Sequence, residues 1–204
     1  MRKPLLSLLA VLCCTALSAQ QLGLRLGISA TDANYNFENS ELETEEQVNY
    51  LLGVFVNLPL GTDLISIQPE FTYLGRGYNV GADFGDFLAF KRTLTYVDLG
   101  VLARLNVGFN NILGFYVGAG PQFSYAVSGT YSDALGERDV NFESDRLNRG
   151  EFQFAVASGL TVDIGLKLFV EGRYTGSLGN QSDSNFEDIR QRSGSVNCGI
   201  MIPF

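Results

Sequence analysis

Leu166-Lys167-Leu168-Phe169-Val170-Glu171-Gly172-Arg173-Tyr174-Thr175 alternates without a break. Leu166, Leu168, Val170, Gly172 and Tyr174 form an uncharged face; Lys167, Phe169, Glu171, Arg173 and Thr175 form a face that carries three charges. A period of two marks a β-strand, whose successive side chains point to opposite sides of a sheet. In a soluble sandwich the charged face would be the wet one. The rest of the chain decides whether that holds here.

The same alternation recurs in Leu22–Ala30, Gln47–Leu58, Asp63–Gly75, Arg92–Val107, Ile112–Ser128, Gly150–Val162 and Arg192–Phe204, so eight strands are expected. The segments between them alternate in length. Long polar stretches at 31–46, 76–91, 129–149 and 176–191 are read as loops, and short ones at 59–62, 108–111 and 163–165 as turns. Antiparallel strands with this rhythm place four long loops at one end and the tight turns at the other.

The face opposite the apolar one carries Arg25, Glu70, Asp98, Arg104, Glu151, Lys167, Glu171 and Arg173, interleaved with Gln68, Gln122, Gln153 and many glycines. Small residues and charges of both signs suit the cramped interior of an eight-stranded barrel better than an open solvent face. The other face is free of charge over most of each strand. Tyr50, Tyr73, Phe123, Tyr125, Phe152, Phe154 and Tyr174 mark its ends, as in the aromatic girdles where lipid meets water. Closure satisfies every backbone group within the sheet, the condition for strands in lipid. The expected fold is all-β: an up-and-down antiparallel transmembrane β-barrel. The soluble alternative is a lipocalin-like barrel with its apolar face inward around an apolar ligand.

The chain opens Met1-Arg2-Lys3, continues with an apolar run from Leu5 to Leu17, and reaches Ser18-Ala19-Gln20. A basic start, about a dozen apolar residues and a small-residue end are the parts of an export signal. Residues 1–20 are read as a removed signal and 21–204 as one barrel domain. The residue before Cys13 is Leu12, too large for the usual lipid-attachment site. Cys198 is then the single remaining cysteine, which excludes a disulfide within the mature chain. A formal net charge of −8 argues against nucleic acid as a partner.

The signal end Ser18-Ala19-Gln20 is followed at once by the strand start Leu22-Gly23-Leu24-Arg25-Leu26-Gly27. With Gly118-Ala119-Gly120-Pro121, Val170-Glu171-Gly172-Arg173-Tyr174 and the terminal Phe204, these segments resemble the small eight-stranded outer-membrane β-barrels. Within that group the chain looks most like the PorT-like outer membrane protein beta-barrel family of Bacteroidetes. The resemblance implies a protein of the bacterial outer membrane, surrounded by its lipid. It also implies that Phe204 belongs to the signal read by the barrel-assembly machinery. Members are often labelled porins, although a barrel this narrow leaves no room for solutes.

No catalytic motif is present. The chain has no histidine, which removes the usual base for a serine nucleophile and the commonest metal ligand. The acidic stretch Glu38–Glu46 lacks the spacing of an EF-hand loop and reads as a solvated charge run. The inward charges are expected to pair with one another as a structural network, since an unpaired buried charge costs several kcal/mol. The expected function is therefore non-enzymatic and without cofactor: an envelope structural or surface-interaction protein that acts through its loops. An accessory subunit of a secretion or transport complex, with a protein partner in the envelope, is the alternative that the PorT-like resemblance implies.

Overall fold

The computed structural model describes residues 20–37, 40–42, 44–80, 90–110, 112–133, 136–142, 148–179 and 187–203. Of these, 32–37, 40–42, 44–46, 78–80, 90, 133 and 187–191 are described by their backbone only. The expected signal segment up to residue 19 and the terminal Phe204 lie outside the described residues.

The elements in chain order are β1 (Gln21–Phe37), β2 (Ser40–Leu42), β3 (Thr44–Pro59), β4 (Ile65–Val80), β5 (Phe90–Gly108), β6 (Leu113–Asp133), β7 (Gly136–Asp139), β8 (Gly150–Asp163), β9 (Lys167–Ser177) and β10 (Glu187–Pro203). Eight long strands pair antiparallel with their neighbours, and β10 returns to β1, which closes the sheet into a barrel. The short β2 and β7 extend β1 and β6 beyond the cylinder.

Three tight connections, Leu60–Leu64, Phe109–Ile112 and Ile164–Leu166, lie at the end of the barrel where Gln21 pairs with Pro203 and Asn57. Each has a local reason to turn. Gly61 and Gly165 sit at φ +71 and +93, a region closed to most other residues. The Asn110 side-chain oxygen accepts from the Ile112 and Leu113 amides, and Asp163 accepts from the Gly165 amide.

At the other end the strands run further than expected. β1 continues through the predicted acidic loop to Phe37 and stays paired with β10 as far as Phe37↔Glu187. β4 reaches Val80, β5 begins at Phe90, and β6 runs to Asp133 before pairing back with β7. Past the apolar band the contrast in sequence between alternate residues fades, while the backbone ladder persists.

The apolar face points outward. Leu26, Val54, Leu99, Val117, Leu160, Val170 and Val196 are all exposed. That excludes the lipocalin-like alternative, which needs this face inside. On β8 the uncharged outward positions run from Phe152 to Val162. At about 3.3 Å per residue and a tilt of about 40°, this span rises roughly 25 Å, the height of the apolar band of such barrels. Tyr50, Tyr73, Tyr125, Phe152, Phe154 and Tyr174 are exposed at the loop end of that band. Register sets them side by side through Tyr73↔Val97↔Tyr125, Phe123↔Phe152 and Val156↔Tyr174.

The lumen is filled. Large inner side chains lie where the facing strand has glycine: Phe55 over Gly23, Tyr116 over Gly159 and Phe169 over Gly199. A Cβ at those glycines would sit between 2.1 and 2.8 Å from the ring it faces. Large-on-small pairing of this kind packs an interior too narrow for two bulky residues at one level.

Candidate functional site

The polar lumen is built in layers. At the loop end, Leu51, Leu74, Leu94, Tyr96 and Ala126 form an apolar cap with Val140 and Phe142, which come from the connection after β7. Tyr131 packs against this cap and carries the guanidiniums of Arg138 and Arg92 over its ring at 4.6 and 5.7 Å. Arg149 lies 4.3 Å from the Phe142 ring centre.

Below the cap, Arg76 forms a buried ion pair with Asp98 and donates to Ser124 at 3.1 Å. Gln122 donates to Asp98 at 2.8 Å, and Gln153 donates to Glu151 at 2.9 Å. The cavity at this level, lined in part by Arg76, Asp98, Gln122 and Ser193, has a volume of about 20 Å³. That is room for about one water molecule.

Four charges meet at the centre. Glu70 takes a two-pronged contact from Arg173, a 3.0 Å bond from Gln68 and a 3.4 Å contact from Arg25. Glu171 accepts from Arg25 at 3.2 Å, Arg173 at 3.1 Å, Asn197 at 3.2 Å and the Tyr116 hydroxyl at 2.8 Å. Arg25 also donates to Thr72 at 2.6 Å. Two guanidiniums and two carboxylates are thereby matched inside a dry wall, the condition under which buried ions are tolerated.

Toward the turn end, the Arg104 guanidinium lies over the Tyr116 ring, 3.7 Å from its centre, and donates to the Gln68 side-chain oxygen. Phe55, Phe169 and Met201 form a second apolar layer, with the two rings edge to face at 5.5 Å. Lys167 lies half-buried at the mouth.

Of the residues singled out from sequence, Arg25, Glu70, Glu171 and Arg173 are joined in one network, and Arg104 touches it through Gln68. Asp98 pairs instead with Arg76, a residue that sequence reasoning assigned to the loop 76–91. Extending the inward series Glu70, Thr72, Leu74 by one step would have placed Arg76 inside. Glu151 is buried and bonded to Gln153, without an ion pair among the described residues. Lys167 likewise makes no ion pair among them. Cys198 is exposed on the outer wall. The described residues contain no cluster of three or more potential metal ligands, and the acidic side chains of 38–46 lie outside the described side chains. Both carboxylates at the centre are engaged by arginines, an arrangement that holds strands together and leaves neither free as a base.

Over residues 18–183 the sequence matches the family model described as outer membrane protein beta-barrel domain. The chain belongs to that family. This outer membrane protein beta-barrel is similar in fold to the outer membrane protein OprG from Pseudomonas aeruginosa, with 12% identity over 92% of this chain and 97% of that one and a TM-score of 0.52. Neisserial surface protein A is similar at 11% identity over 89% and 97%, with a TM-score of 0.50. The attachment invasion locus protein of Yersinia pestis, in complex with the heparin analogue sucrose octasulfate, aligns at 10% identity over 91% and 99%, with a TM-score of 0.46. No curated protein matches the chain in sequence. Family and fold make it an integral outer-membrane barrel.

Proposed function

We propose that this barrel is a non-enzymatic envelope protein whose work is done at its loop end, as a surface-interaction element. The observation that carries this reading is the pairing of a packed lumen with a wall that projects past the membrane. From the belt level at Ile28, β1 continues to Phe37, about 30 Å along the strand at roughly 3.3 Å per residue, and remains paired to β10 throughout. The β6–β7 hairpin projects from the opposite side of the barrel, with Arg138 stacked on Tyr131. Arginine and tyrosine on rigid strands are the residue types that anchor protein contacts. Export by the signal segment, insertion by the assembly machinery with Phe204 as its cue, and the structural role of the inner charges belong to the same reading.

Protease treatment of intact cells is the test. Cleavage is expected within 38–43, 81–89, 134–147 and 180–186, with the connections at 60–64, 109–112 and 164–166 protected. Cleavage at those three short connections would reverse the orientation. Discrete ion conductance by the purified barrel in a planar bilayer would contradict a packed lumen. An accessory role in a secretion or transport complex is supported by the exposed apolar residues on the turns, Leu60, Leu64, Phe109, Ile112 and Ile164. Cross-linking from Phe109 to a co-purifying envelope protein in fixed ratio would favour it.

A further inference from the structure

The lumen opens at the turn end into a vestibule of about 550 Å³. That is within the roughly 300–1,000 Å³ of small-molecule sites and far above what a water or a bare ion needs. Its polar lining includes Gln21, Asn57, Asn106 and Tyr116, and two cations reach it, Arg104 and Lys167. The carboxylates lining it are Asp63 and Asp163, both exposed at the rim.

The arginines of the lumen are not all paired. Arg25 and Arg173 are matched by Glu70 and Glu171. Arg104 is only 4% exposed, yet among the described residues no carboxylate pairs with it. Among the described residues it donates to the neutral side-chain carbonyl of Gln68, and its Nε has no partner. Lys167, opposite Asp163 in register, forms no ion pair with it. A desolvated guanidinium needs a counterion, and its planar fork matches a carboxylate or phosphate in two-pronged fashion.

We infer that the turn-end vestibule is a binding site for a small phosphate- or carboxylate-bearing molecule, held at its anionic head by Arg104 and flanked by the Lys167 ammonium. The Tyr116 ring lies against the guanidinium, and Met201 lines the same vestibule. This site is at the opposite end from the proposed surface-interaction region and stands independently of it.

The test is calorimetric titration of the full barrel, folded in detergent micelles, with inorganic phosphate and separately with malonate. Saturable binding of at least one is expected, and which of the two binds more tightly distinguishes a phosphate head from a carboxylate head. Arg104→Gln should abolish binding. Lys167→Gln, which breaks no ion pair among the described residues, should weaken it about tenfold. Heat-dependent gel mobility verifies that each variant is folded; if Arg104→Gln fails that check, Lys167→Gln alone decides. Three results would overturn the inference: no saturable binding of either anion, unchanged affinity in the folded variants, or equal competition by chloride at matched ionic strength.

Discussion

Replacing Glu171 with leucine removes the most connected carboxylate of the lumen while nearly preserving its volume. Four donors lose a hydrogen bond: Arg25, Arg173, Asn197 and the Tyr116 hydroxyl. Two guanidiniums are left to share Glu70, so one buried positive charge is uncompensated. Breaking a buried pair from one side costs about 3–5 kcal/mol, and stranding a buried hydroxyl about 1–3. The two costs overlap because the groups share one acceptor, so a loss of about 4 kcal/mol is expected. Urea unfolding in lipid vesicles measures it, read by circular dichroism because the chain has no tryptophan. The loss should be insensitive to added salt, since the network is closed to solvent. Adding Arg25→Met to Glu171→Leu leaves Arg173 matched with Glu70, so the double variant should be more stable than Glu171→Leu alone. A loss below about 1 kcal/mol for Glu171→Leu, or a double variant less stable than the single, would refute the charge-matching argument.

Other expectations follow from the same geometry. Val170→Arg, at an outward position paired with Leu160 and Cys198, should cost about 2–4 kcal/mol in vesicle folding assays. Phe142→Ala should remove about 3 kcal/mol of packing from the cap, seen as faster hydrogen exchange of Leu94 and Tyr96. Gly159→Ala places a methyl 2.6 Å from the Tyr116 ring and should destabilise by about 1–3 kcal/mol in urea. Gly172→Ala meets nothing within 4 Å and should leave the unfolding midpoint almost unchanged.

The membrane-spanning part was legible in the sequence because lipid outside and packed charge inside impose opposite demands on alternate residues. Leu168, Val170 and Tyr174 face out and Glu171 and Arg173 face in, as the alternation of 166–175 implied. Legibility ended where that contrast ended. Past Ala30 the polar residues of β1 read as a loop, although the ladder continues to Phe37. Arg76 was hidden by its neighbours Gly75 and Gly77, which resemble a turn. The cap residues Val140 and Phe142 fold into the mouth from a segment without strand period, so only their burial shows their part. Which charge meets which was also not readable. Arg25 and Glu171 are 146 positions apart, and their contact depends on curvature rather than on any local pattern.

The seam between β1 and β10 turns that separation into a rule for assembly. Arg25 sits on the first strand of the cylinder, and its two carboxylates are 45 and 146 positions away. Bringing the more distant one into place costs only about 1 kcal/mol more in loop entropy than the nearer one. Until the last strand docks, however, the sheet has two raw edges and a gutter of charge open to the bilayer. Neither defect is tolerable in hydrocarbon, and one event removes both. A chain that stops short of β10 is therefore not a smaller barrel but a strip that lipid rejects, and the final strand to dock decides whether any of the others can stay.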